Sequence, residues 1–185
     1  MASHWSAAGQ VNGYLPKFWA VFLGPVIMAF VLACMYVLPL LDPFKENWPA
    51  FRKQYNLFIV AVTIFFSYLY WLMLAWNSGH TFEFKTAFLP AFAALLYLVG
   101  LLLPKLKRNW FVGIRTPWTI SSDLVWTKTH VLGGVLFKIS AILALIGLFF
   151  SSYGIVWLIA APVTLSIVIL LIYSYALYAK EHPHS

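Results

Sequence analysis

Arg108-Asn109-Trp110-Phe111-Val112-Gly113-Ile114-Arg115-Thr116-Pro117-Trp118-Thr119-Ile120-Ser121-Ser122-Asp123-Leu124-Val125-Trp126-Thr127-Lys128-Thr129-His130-Val131-Leu132-Gly133-Gly134 is the one long polar interruption in a sequence otherwise built of apolar blocks. It holds three tryptophans, two arginines, a lysine, an aspartate and a histidine, and it runs without a break into another apolar block. A segment of this kind belongs where water meets lipid, because indole rings and cations both favour the headgroup zone.

Working outward, the chain of 185 residues is 63% hydrophobic and only 9% charged. A soluble domain of this length has no means of hiding so much apolar surface, so most of the chain takes lipid as its solvent. The reading is an all-α, polytopic integral membrane bundle. The net charge of +7 is no nucleic-acid footprint. Its cations lie in short loops between apolar blocks, where they set orientation and meet anionic headgroups, so membrane lipids are expected partners and nucleic acid is not. Cys34 is the only cysteine, which rules out an internal disulfide. Polar residues interrupt the first 17 positions, so no cleavable signal peptide is visible and the first apolar block must insert itself.

The blocks define five transmembrane helices. Residues 1–17 read as a polar, aromatic, extracytoplasmic segment with turns at Gly9 and Gly13, and residues 18–103 as a three-helix membrane region. Within the latter, Phe18 to Leu41, Asn56 to Trp76 and Ala87 to Leu103 carry no charge, and a span needs about 20 helical residues. Gly24-Pro25 is expected to kink the first helix or to occupy its first turn. Asp42 to Tyr55 reads as a polar loop in which Pro43 and Pro49 oppose helix. Residues 104–130 form a signature loop and the start of helix four, with Ser121-Ser122-Asp123 as a serine cap followed by an acid in the first turn. Residues 131–178 hold two further spans around a tight turn at 151–154, and 179–185 form a tail.

Lysine and arginine are divided unevenly between alternate loops: Lys17 and Lys85 make 2 on one side, against 9 on the other. The richer side is expected in the cytosol. That places the N-terminus outside, the C-terminus inside and the signature loop on the cytosolic face of a cell membrane. An odd number of spans with an exported start also points to a further helix upstream.

Residues 109–119, with Ser122, Trp126, Lys128, Thr129, His130 and the Gly133-Gly134 pair, resemble the SdpI family of bacterial membrane proteins. The segment from His4 and Trp5 through Gly9, Asn12 and Gly13 to Tyr14 is similar to the uncharacterised domain that commonly opens these proteins, with Asn12 where an Asp is common. The resemblance implies a small helical membrane protein that gives immunity to a secreted toxic peptide. It also implies, in some members, a signalling role in which the engaged protein holds a cytosolic repressor at the membrane.

Several residues stand out as candidates. In the loop these are Asn109, Trp110, Gly113, Arg115, Thr116, Pro117 and Trp118. Pro117 biases Thr116 toward extended geometry and so puts Arg115 on a stiff loop. There Arg115 clamps a lipid phosphate, a partner carboxylate or a helix end, or else serves only as a topology anchor. Asp123, Thr127, His130, Gly134 and Lys138 step by 4, 3, 4 and 4, which makes a stripe on helix four and suggests a face turned toward the bundle interior. Lys138 lies about 12 Å deeper than His130, where a charge marks a functional site or buried pair unless it snorkels. His130 reads either as a pH-sensitive switch or as a hydrogen-bonded interfacial residue. This stripe supports the alternative reading of a small transporter or ion-coupled exporter. His4, His80 and Glu83 share the outer side without metal-ligand spacing. We expect no metal, no cofactor and no catalytic apparatus.

Overall fold

The computed structural model describes residues 1–6, 9–150 and 152–182, and the side chains of all of these except 152–156. Among the described residues, five helices are long and apolar enough to cross a membrane: Lys17–Leu41, Lys45–Asn77, Phe84–Lys105, Asp123–Phe149 and Trp157–Glu181. The chain is a multi-pass helical membrane protein.

The first residues are more ordered than their polar composition suggested. Strands β1 (Ala2–Trp5) and β2 (Val11–Tyr14) form an antiparallel hairpin. Gly9 supplies its turn at φ 75°, a left-handed conformation that glycine adopts at little cost. Gly13 is no turn residue: it lies in β2 opposite His4, where a Cβ would stand 3.0 Å from that of His4. The Asn77 side chain accepts from the Ala2 amide at 2.7 Å and donates to the Ala2 carbonyl at 2.9 Å, fixing the hairpin to the end of the second long helix.

Helix α1 (Lys17–Leu41) continues through both Pro25 and Pro39, so Pro25 is an interior residue and does not sit in the first turn. A proline removes the bond to the carbonyl four residues back. The two carbonyls so released belong to Val21 and Met35, and two tyrosines of the next helix take them. The Tyr70 hydroxyl donates to Val21 O and the Tyr55 hydroxyl to Met35 O, both at 2.6 Å. In hydrocarbon no water is present to do this, so each pair satisfies a group that is otherwise costly to bury.

Helix α2 (Trp48–Asn77) begins well before the expected position, after a 3-10 turn at Lys45–Asn47. The segment read as a polar loop is thus mostly helical. Pro49 does not oppose this, because it falls in the first turn, where its missing N–H had no helical partner. An irregular residue, Phe51 (φ −128°, ψ 17°), marks the joint between this uncharged first turn and the rest of the helix, which opens with Arg52 and Lys53.

Helix α3 (Phe84–Leu102) and a 3-10 turn at Leu103–Lys105 lead into the signature loop. A short helix α4 (Pro117–Ser121) precedes α5 (Asp123–Ile146), which ends in a 3-10 turn at Gly147–Phe149. Helix α6 (Ser152–Glu181) already starts where a turn was expected, so the chain reverses just before it; Ser151 itself lies outside the described residues. The bundle centre is α5 between α3 and α6. A Cβ on Gly100 would lie 2.8 Å from Gly134 O, and one on Gly134 2.7 Å from Gly100 O. Backbones this close need glycine on both helices, the small-residue packing common between membrane helices. Helix α1 sits at the edge, with only Ala20 and Pro39 buried.

The proline–tyrosine pairing has a measurable signature. Tyr70→Phe is expected to lower stability by about 1 kcal/mol. In a Pro25→Ala background the restored amide occupies Val21 O, and the same change becomes nearly neutral. Thermal unfolding of the four proteins in detergent reads this cycle. An equal cost in both backgrounds refutes the pairing.

Candidate functional site

The signature loop folds into a cap over one end of the bundle, and its shape follows from where its backbone hydrogen bonds go. Asn109 is fully buried. Its Oδ1 accepts from the amides of Phe111 at 3.0 Å and Val112 at 2.7 Å, and its Nδ2 donates to the carbonyls of Lys107 at 2.9 Å and Val112 at 3.0 Å. Four bonds use the whole capacity of the amide, so the chain between 107 and 112 is wrapped around one side chain.

A buried carboxylate joins the cap to the first two helices. Asp42, at the end of α1, accepts from the Phe44 amide at 2.8 Å, the Trp48 indole at 2.9 Å and the Trp110 amide at 3.1 Å. Asp42 read as the first residue of a loop, and the one local signal of this role is an acid set directly after an apolar block. Arg108 crosses the same region. It pairs with Asp123 at 3.1 Å, donates to Ile120 O at 3.2 Å and lies over the Phe44 ring at 4.6 Å.

His130 pins the loop to α5. Its Nδ1 meets Trp126 O at 2.8 Å, and the Ile114 amide donates to its Nε2 at 3.0 Å. An accepting Nε2 and a donating Nδ1 define a neutral ring, which also stacks on Trp126 at 4.0 Å. Gly113 passes directly over this ring at φ 111°, and a Cβ there would collide with Nε2. Both nitrogens are committed, so the bonded, structural reading of His130 describes it. The Trp126 indole donates to Leu106 O at 2.9 Å, closing the loop's other flank.

The second half of the loop ties down α6. Thr116 caps α4 in a capping box with Thr119, and its hydroxyl reaches Ser174 at 3.1 Å. Ser122 caps α5 as expected, accepting from the Val125 amide, and it donates to Glu181 at 2.6 Å. Trp118 packs its ring 5.1 Å from Tyr175. Pro117 begins α4. The outward side of the cap carries Trp110, Arg115 and the cations Lys105, Lys107 and Lys128, with Gly113 and Pro117 also exposed. Arg115 is exposed and donates to Trp110 O at 2.7 Å, so it braces the outer rim of the cap.

The polar stripe does not form an interior face. Asp123 and Thr127 are exposed, His130 and Gly134 are buried, and Lys138 is half-buried beside Gly100. Among the described residues no hydrogen bond or ion pair joins Asp123, His130 and Lys138. The physical reason is the phase of the helix: the buried face is centred on Trp126, Thr129 and Gly133, and the stripe runs along its edge. The N-terminal candidates His4, Trp5, Gly9 and Gly13 lie in the hairpin, at the opposite end of α1 from Asp42 and the cap. The 25 residues of α1 set these two ends about 37 Å apart. Trp5 packs between Trp76 and Phe84, at 5.9 and 6.0 Å, so it anchors the hairpin.

Two glycines with similar backbone geometry test the histidine contact. Gly113→Ala is expected to cost about 2 kcal/mol or more, from strain plus the displaced His130 bond. Gly79→Ala (φ 92°) meets nothing within 4 Å and bears the backbone strain alone. Melting temperatures in detergent compare them, and equal losses refute the contact.

Residues 105–174 match the family model of the SdpI/YfhL protein family, and residues 1–29 match a domain of unknown function, DUF1648. No curated protein and no solved structure matches the chain. The first match starts where α3 gives way to the cap and ends at Ser174, the α6 residue that Thr116 reaches; the second covers the hairpin and the first half of α1. Residues 105–174 are thus similar to the SdpI/YfhL protein family, behind an N-terminal segment similar to DUF1648.

Proposed function

We propose that this protein gives immunity to a secreted antimicrobial peptide toxin, and that it relays the engaged state by holding a cytosolic repressor at the membrane. The reading is carried by one coincidence: the family match covers the cap, and among the described residues most of the side-chain hydrogen bonds fall in the cap and its flanks. A loop held this firmly presents Trp110, Arg115 and the neighbouring lysines in a fixed arrangement, which suits recognition by a partner protein rather than turnover of a substrate. Aromatic and arginine side chains are the usual anchors of such surfaces. The charge asymmetry of the loops supports a cytosolic cap, an external N-terminus and a cytosolic C-terminus. The toxic peptide is then met within the membrane or at the hairpin end. Because the cap bonds to α1, α5 and α6, movement of any of these helices has a direct route to it.

The alternative of a small transporter drew on a relay through Asp123, His130 and Lys138. Its geometry lends no support, since Asp123 is paired with Arg108 and both ring nitrogens of His130 are occupied.

Deleting the gene is expected to raise sensitivity to the cognate peptide, and unchanged survival refutes immunity. Arg115→Ala and Trp110→Ala, expressed at wild-type level, are expected to retain the fold and to weaken recruitment of the cytosolic partner. Normal membrane recruitment by both variants removes the cap from the relay.

A further inference from the structure

Where α1 ends and α2 begins, an open recess of about 670 Å³ is lined by Pro39, Leu40, Lys45, Trp48, Pro49 and Arg52. Lys45 and Arg52 are exposed, and among the described residues neither makes an ion pair or a side-chain hydrogen bond. The nearby acids do not neutralise them. The Asp42 carboxylate is buried and committed to three donors, and Glu46 is not among the residues that line the recess and forms no ion pair with either cation. Two unpaired cations beside an indole at the end of a membrane span form a setting for an anion at the lipid surface.

The same seam contains a second recess, of about 580 Å³ and almost wholly apolar, between Gly24, Met28 and Leu32 of α1 and Phe66 and Tyr70 of α2. Leu32 and Pro39 are seven residues apart on α1, and Arg52 and Phe66 are fourteen apart on α2, both beyond the joint at Phe51. Both spacings return to the same helix face. From Leu40 back to Leu32 the helix rises about 12 Å, within the reach of one acyl chain. Only Ala20 and Pro39 of α1 are buried, so most of this helix is left without protein cover.

We propose that the α1–α2 seam is a binding site for one anionic phospholipid, with its phosphate between Lys45 and Arg52 and one acyl chain in the apolar recess. The recess adjoins the cap through Asp42, which accepts from both Trp48 and Trp110, but it shares no lining residue with the cap's exposed rim, and the site stands whether or not the immunity reading does.

Native mass spectrometry of the full chain, released from detergent in the presence of phosphatidylglycerol or phosphatidylcholine, tests this. One phosphatidylglycerol is expected to be retained about tenfold more than phosphatidylcholine. The double variant Lys45→Gln, Arg52→Gln is expected to lose that preference while keeping its lipid-free melting temperature. Lys105→Gln with Lys107→Gln, the same charge change outside the recess, is expected to keep it. Leu32→Trp, which fills the apolar recess, is expected to weaken binding of long-chain but not short-chain phosphatidylglycerol. Equal loss in the two double variants overturns the site in favour of diffuse attraction. Displacement of the lipid by inorganic phosphate makes it a soluble-anion site, and a dimer without bound lipid makes the seam a self-interface; either result also overturns the proposal.

Discussion

A backbone amide or carbonyl that loses its helical partner inside a bilayer has no water to turn to, and this one constraint accounts for most of the polar side chains in the structure. The prolines of α1 release two carbonyls, and Tyr55 and Tyr70 take them. The chain leaves helix after Lys105, and Asn109, Trp126 and His130 take up the amides and carbonyls that the loop exposes. Each of these bonds is local in its purpose, yet each also fixes one element against another. The tyrosines join α2 to α1, the imidazole joins the loop to α5, and Thr116 joins it to α6 through Ser174.

The arrangement gives the molecule a graded rigidity. Its centre is the α3–α5 crossing, where Gly100 and Gly134 bring backbones into contact and leave no room for a larger side chain. Close packing of that kind substitutes for the hydrophobic drive that lipid does not supply between helices. Around it the cap closes one end with buried hydrogen bonds. Helix α1, in contrast, meets the bundle along a seam with two recesses, and it is held there chiefly by the tyrosine bonds and Asp42. A firm cap and a loosely covered first helix divide the molecule into a closely bonded end and an open edge along the α1–α2 seam.

The sequence was sufficient for the spans, because about 20 uncharged apolar residues have few other destinations than hydrocarbon. It was sufficient for the start of α5, because a serine followed by an acid meets the orphan amides of a helix N-terminus from local residues alone. The family resemblance also lay in contiguous residues, and the match over 105–174 agrees with it. Where the reading failed, the deciding contact was distant in the chain. The charged residues after Asp42 read as loop, yet a helix accepts them once Trp48 and Phe51 find a core with Leu103, Leu106 and Trp126. The N-terminal hairpin depends on Asn77 and Trp76, more than sixty residues away.

Composition, block length and capping chemistry by themselves determined that this is a five-span helical membrane protein with a tryptophan-rich connector before its fourth span. Tertiary structure alone decided what the polar residues do. Periodicity places Asp123, Thr127, His130 and Lys138 on one stripe, but only the packing of α3 and α6 against α5 sets which side of that stripe is buried. It is likewise packing that turns Asp42 from a loop acid into a buried acceptor of three hydrogen bonds, since its donors come from both ends of a 68-residue separation.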